Sequence, residues 1–186
     1  MQERKRCRWC NVKNPIYVQY HDEEWCQLNL DEHYLYEMLI LESFQAGLSW
    51  ECVLNKREFF REAFDGFDVN RVAGYEEEKI QELLKNPDII RNRLKIRAAV
   101  NNSKIFLEIQ KEYGTFRNYL AQFTKETVIY ENNRTTSELS DCISEDLQKR
   151  GMKFVGSTII YSYLQAIGII YSHEEECYLY KKSTFG

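Results

Sequence analysis

Apolar residues along this chain recur mostly at the spacing of a helix face. Leu35, Met38, Leu39 and Glu42 fall at i, i+3, i+4 and i+7, so Asp31 is expected to cap a helix running to about residue 44. Ser49 is expected to cap a second, with Trp50, Val53, Leu54 and Phe60 along one side and Glu51 in its first turn. Asp68 opens a short helix, and another covers about 76–85 before Pro87. Residues 89–113 carry Ile96, Ala99, Val100, Ser103, Phe106 and Leu107 at helical spacing and end at Gly114; a short helix at 116–123 follows. The stretch 124–140 is polar and aperiodic, a loop. Ser140 or Asp141 then opens a helix to Arg150, residues 151–156 interrupt it, and 157–167 resume it with Gly168 as its cap. No run alternates with period two. The pattern predicts an all-α protein of one domain, with room for two lobes, containing a helix, a short glycine-flanked hairpin and a helix over about 140–168.

Composition narrows the class. The chain has 186 residues, 44% of them hydrophobic and 29% charged, so it can bury a sizeable core and is not disordered. Only 2 Pro and 8 Gly argue against a turn-rich β-sandwich. The net charge of −4 excludes a broadly basic surface but not a local basic patch. Arg4, Lys5, Arg6 and Arg8 have no apolar run behind them, unlike a secretory signal. The apolar stretch 154–172 is interrupted by Ser157, Thr158, Ser162 and Gln165, so it reads as a buried helix rather than a membrane span. A reducing, cytoplasmic location is expected. The six cysteines then read as thiols or metal ligands.

Four groups of residues carry candidate chemistry. Cys7, His21, His173 and Cys177 make a Cys₂His₂ set suited to one structural zinc ion joining the chain segments 7–21 and 173–177. Ordinary buried thiols and surface histidines explain the same residues, and Cys10, in a Cys-x-x-Cys pair with Cys7, competes with His21 as a ligand. His33 reads as a surface residue. Glu42 is the only charge between Met38 and Trp50, either a buried carboxyl satisfied by backbone or a pocket carboxylate. Trp9, Tyr17, Tyr20, Trp25 and Trp50 hold all three tryptophans, as a core cluster or as a slot for a flat, cationic ligand. Gly151 and Gly156, with Lys149, Arg150 and Lys153, suit a phosphate, and Arg91, Arg93, Lys95, Arg97 and Lys104 form a basic run with no acidic residue among them. A solvated helix face explains that run equally well.

Several blocks of the chain together resemble the 3-methyladenine DNA glycosylase I family. They are Cys7-Arg8-Trp9, Pro15 through Trp25, Leu41-Glu42-Ser43-Phe44-Gln45-Ala46-Gly47-Leu48-Ser49-Trp50, Ile89 through Ile96, Arg150 through Thr158, and His173-x₃-Cys177. The resemblance runs in order from about residue 7 to 177. It implies a helix-hairpin-helix DNA glycosylase in which zinc is held by Cys7, His21, His173 and Cys177. Tyr20 and Glu42 would hydrogen-bond the excised base and Trp50 would stack on it. Trp9, Tyr17 and Trp25 would line the pocket, and Gly151, Lys153, Gly156 and Thr158 would meet the DNA backbone. Three positions depart from the family pattern: Cys26 and Ser43 stand where glycine is usual, and Phe44 where a polar residue is common.

The implied activity is flipping out and hydrolytic release of 3-methyladenine from alkylated double-stranded DNA, with Glu42 as base reader and candidate catalytic group. Residues 168–173 hold no Asp to activate water, and no lysine is placed for Schiff-base chemistry, so a monofunctional enzyme without lyase activity is expected. A monomer needing no protein partner and no membrane is expected. The rivals are a non-catalytic, zinc-stabilised DNA-binding protein and a helical domain unrelated to DNA.

Overall fold

The computed structural model describes residues 4–124 and 127–181. Its elements are α1 (Pro15–Gln19), a π-helical turn (Tyr20–Glu24), α2 (Glu32–Gln45), α3 (Trp50–Leu54), α4 (Arg57–Ala63), a 3₁₀ turn (Asp65–Phe67), α5 (Val69–Ala73), α6 (Glu77–Lys85), α7 (Arg93–Tyr113), α8 (Phe116–Thr124), β1 (Ile129–Tyr130), α9 (Glu138–Lys149), α10 (Ser157–Ala166) and β2 (Ile170–Tyr171). The described chain is predominantly helical, as the periodicity predicts. Asp31, Ser49 and Asp68 cap α2, α3 and α5 through their side chains, because each offers an oxygen to an N–H that the first turn cannot bond internally.

Four boundaries differ from the sequence reading. The helix expected from Ser49 breaks at Asn55–Lys56 into α3 and α4. α7 begins only at Arg93, where the Asn92 side chain accepts from the Lys95 N–H. α9 is opened by a Ser137–Ser140 capping box, earlier than Ser140 or Asp141. The expected loop at 124–140 contains β1, which pairs in parallel with β2 through Ile129–Ile170 and Tyr130–Tyr171; residues 125 and 126 of that loop lie outside the described residues.

The centre of the molecule is α2, which packs against α10, α7, α8 and α3. Residues 35–44 are buried all round, so the helix is a core rod rather than an amphipathic surface helix. Its C-terminal carbonyls at Phe44 and Ala46 accept from Lys95 Nζ at 2.8 and 2.6 Å. Lys95 therefore caps a helix inside the protein and is no part of a basic surface. Gly168 follows α10 with φ +76°, and a Cβ there would sit 2.3 Å from the backbone of Gln27 and Leu28. Only glycine lets the 26–28 segment lie against the end of α10. Cys26 itself has φ +63°, a conformation that favours glycine; its buried sulfur accepts from the Ser172 N–H at 3.3 Å.

Candidate functional site

Two glutamates on α2 are each 2% exposed, and their surroundings differ completely. Glu37 accepts from Arg57 Nε at 2.7 Å and from Arg61 Nε at 2.8 Å. Burial pushes its carboxyl up, but the two guanidinium groups outweigh burial and hold it below the usual range. Glu42 has no such partner: its Oε2 is fully buried and makes no hydrogen bond. Burial alone pushes the Glu42 carboxyl well above 4.5.

Glu42 faces a cavity of about 360 Å³. Trp9, Tyr17, Tyr20, Trp25 and Trp50 all line it, so the structure brings the whole aromatic set around the carboxyl. Tyr20 and Trp50 face each other with ring centroids 5.4 Å apart, and Trp50 Nε1 is buried without an acceptor. A donor and an acceptor thus stand unsatisfied in an aromatic slot. Such an arrangement is costly in an empty core but suits a planar polar ligand. Gln45, Ser162, Gln165 and Glu174 also line the cavity, as do Asn133 and Arg134 from the loop after β1. The sequence reading missed these, the last two because they lie in an aperiodic polar stretch.

The π-helical turn gives Tyr20 and His21 to two different centres. Trp25 N–H bonds Tyr20 C=O at 2.8 Å across that turn, and Tyr20 points to the cavity while His21 points the other way. π turns are rare and concentrate at functional sites. This one is held by Glu24, which receives Arg57 Nη1 at 2.6 and 2.8 Å and Tyr34 OH at 3.0 Å.

Behind the cavity, Cys7, His21, His173 and Cys177 come together, all buried, with their donor atoms within 4.8 Å of one another. Cys10 lies outside this group, its thiol pointing away to the Tyr17 carbonyl at 3.9 Å. Cys7 Sγ lies 3.5 Å from His173 Nδ1, and Cys177 Sγ lies 3.5 Å from His21 Nε2 and 3.6 Å from His173 Nδ1. The other nitrogen of His21 bonds Asp22 at 2.8 Å, and Asp22 receives Arg6 at 2.8 and 2.6 Å. A carboxylate behind a ligating imidazole fixes its tautomer and orientation. Burial raises the Asp22 carboxyl, but the Arg6 and His21 bonds override it and hold it at about 2. The four side chains can hold one metal ion. Trp9 packs on His21 at 5.2 Å and Trp25 on His173 at 4.8 Å, so the cluster braces two walls of the cavity.

The connection between α9 and α10 lies apart from these. Gly151 has φ +101°, and the Asn102 side chain clamps the Lys153 backbone through both its N–H and C=O, each at 2.8 Å. Lys153 and Thr158 are exposed, and Gly156 opens α10 with no side-chain cap. Much of the wider basic run is paired or buried, as on an ordinary solvated helix face. Arg150 is engaged by Asp146 at 2.7 Å and Glu112 at 2.6 Å, Arg93 and Arg97 reach Glu77 at 3.4 and 2.6 Å, and Lys95 is buried. His33 is exposed, with its Nε2 2.6 Å from the Gly66 carbonyl oxygen.

Residues 9–180 match the family model described as methyladenine glycosylase. The chain belongs to the methyladenine glycosylase family. It is 40% identical to DNA-3-methyladenine glycosylase 1 of Escherichia coli (strain K12), covering 95% of this chain and 97% of that protein. It is 36% identical to DNA-3-methyladenine glycosylase of Haemophilus influenzae, over 92% and 96% respectively. A crystal structure of 3-methyladenine DNA glycosylase I superposes with a TM-score of 0.91 at 38% identity, covering 95% of this chain and 100% of that one. The Staphylococcus aureus enzyme, in a structure concerned with 3-methyladenine recognition, superposes with a TM-score of 0.90 at 32% identity, over 96% and 100%. The expected predominantly helical fold agrees with these structures. Among the described residues, no helix is long and apolar enough to cross a membrane.

Proposed function

We propose that this chain is a single-domain, monomeric, monofunctional DNA glycosylase that flips 3-methyladenine out of alkylated double-stranded DNA and releases it by hydrolysis. The observation that carries the reading is the unpartnered Glu42 carboxyl inside the aromatic cavity, in a chain similar along nearly its whole length to enzymes named for that activity.

A base in a duplex is out of reach, so the nucleotide must rotate into the cavity. Adenine methylated at N3 is cationic while joined to the sugar. The electron-rich faces of Trp50 and Tyr20 attract such a ring, and Glu42 ionises beside it and accepts hydrogen bonds from its edge. The bond from C1′ to the base then breaks, its electrons neutralise the ring, and C1′ gains oxocarbenium character. Water adds at C1′ and loses its proton to solvent. Normal adenine lacks the positive charge and is a poor leaving group, so part of the selectivity is chemical. Glu42 acts first as base reader; a direct catalytic role would come from its negative charge near the developing cation. Trp9, Tyr17 and Trp25 shape the slot. Residues 140–168 serve as a helix-hairpin-helix, where Gly151, Lys153, Gly156 and Thr158 hold backbone phosphate at the N-terminus of α10.

The metal is zinc in this reading. With Zn–S near 2.3 Å and Zn–N near 2.0–2.1 Å, a tetrahedral site has sulfur-to-nitrogen edges of about 3.6 Å, close to the 3.5 and 3.6 Å separations of Cys7, Cys177 and the two imidazoles. Four protein ligands would leave no open position, so zinc held by Cys7, His21, His173 and Cys177 would be structural, tying the segment at 7–21 to that at 173–177 and holding Trp9 and Trp25 in place.

The test is chromatography of bases released from methylated duplex, with strand integrity read in parallel. Wild type is expected to release 3-methyladenine without cutting the strand, and Glu42→Gln to lose most of that release while remaining folded. Binding of DNA with no release by the folded, metal-loaded wild type would favour a non-catalytic DNA-binding protein.

A further inference from the structure

We propose that Arg134 clamps a phosphodiester of the DNA strand that carries the flipped nucleotide, an inference that rests on the glycosylase reading above. Among the described residues lining the cavity, Arg134 is the only cationic side chain, and the other charged groups are Glu42 and Glu174. Without it, that wall would offer only carboxylates to a polyanion.

The loop that carries Arg134 is tied down. Ile129 N–H donates to Ile169 C=O at 2.9 Å and Glu131 N–H to Tyr171 C=O at 3.2 Å. Ser172 Oγ donates to the Glu131 carbonyl at 2.6 Å. With its amide nitrogen facing inward, Asn132 donates to the carbonyls of Glu131, Ser172 and His173 at 3.1 to 3.2 Å. Asn133 then adopts φ +59°, and Asn133 and Arg134 both line the cavity. The loop is thereby braced on the segment that carries His173.

The guanidinium is held but not consumed. Its ion-pair contact is Glu131 at 3.3 Å, and the Arg134 side chain is 62% exposed against 14% for Glu131. Its five N–H donors form a fork that matches two phosphate oxygens. The base itself is a poor partner, because a cationic methylated ring and a guanidinium repel each other. A phosphate flanking the flipped nucleotide is the anion that a glycosylase brings to this wall.

The experiment measures binding of a duplex containing a tetrahydrofuran abasic analogue by wild type, Arg134→Gln and Arg134→Lys, from about 50 to 200 mM salt. Removing one phosphate contact is expected to lower the slope of log affinity against log salt by about 0.9, so the wild-type advantage over Arg134→Gln shrinks about 3.5-fold across that range. Arg134→Lys is expected to keep the wild-type slope. Affinity for free 3-methyladenine is expected to be equal in all three. Equal slopes for wild type and Arg134→Gln would overturn the inference alone. Weaker binding of the free base by Arg134→Gln would also overturn it, making the arginine a base contact. A wild type with no salt-dependent DNA binding would remove the glycosylase reading and this inference with it.

Discussion

Replacing Glu42 by Gln is expected to make the protein more stable at neutral pH while it impairs function. The Glu42 carboxyl is 2% exposed, has an unpartnered oxygen, and is raised above 4.5 by burial. The folded state therefore keeps a proton that the unfolded chain releases above its ordinary value. By linkage, this penalty is absent below that value, grows as pH rises past it, and levels off once the folded carboxyl ionises. At pH 7 the proton term is bounded by the distance from 4.5, about 3 kcal/mol at 1.36 kcal/mol per unit. Glutamine carries no charge to avoid but leaves its own polar atoms in the slot. The net gain is expected to be up to about 2 kcal/mol, or up to about 8 °C in Tm for a chain of this size. Denaturant unfolding of both proteins at pH 7 and pH 4 measures it; at pH 4 the proton term is gone, so the gain is expected to vanish or reverse by the roughly 1 kcal/mol that glutamine's unpaired atoms cost. Equal stability at pH 7, or a difference that persists unchanged at pH 4, would refute the argument that Glu42 is a buried, unpaired acid.

Two further outcomes follow, the first from the proposed zinc site and the second from the fold. Purified protein is expected to carry about one equivalent of zinc, retained by Cys10→Ser and lost by His21→Ala; chelation is expected to lower Tm and quench the ordering of Trp9 and Trp25, read by near-ultraviolet circular dichroism and metal analysis. Gly168→Ala drives a Cβ to 2.3 Å from the Gln27 and Leu28 backbone in a positive-φ position, so it is expected to cost about 3 kcal/mol or more in denaturant unfolding.

Much of the fold and of the candidate site was legible from local rules. Asp31, Ser49 and Asp68 were readable as caps because a cap is a short-range bond between neighbours in sequence. Glu42 stood out as a lone charge in an apolar stretch, and the structure leaves it unpaired. Glu37, five residues earlier on the same helix, carried the opposite solution invisibly, because its partners Arg57 and Arg61 arrive only when α4 packs on α2. The choice of His21 over Cys10 was equally undecidable locally. It depends on the turn after α1 aiming one side chain into the cluster and the other at a backbone carbonyl. The basic run stayed open between two readings, since charge counting cannot tell Lys95, buried as a helix cap, from Lys104 on the surface. Asn133 and Arg134 escaped because β1 exists only through its pairing with a segment some forty residues later.

The central claim is that Glu42 and its aromatic surroundings read a methylated adenine. Titration of free 3-methyladenine into the protein, followed by tryptophan fluorescence, tests it without DNA. The account predicts saturable binding by wild type, much weaker binding of adenine, and about a tenfold or greater loss in Glu42→Gln, the scale of a hydrogen bond to a charged group. Undiminished 3-methyladenine binding by a folded Glu42→Gln variant would contradict it.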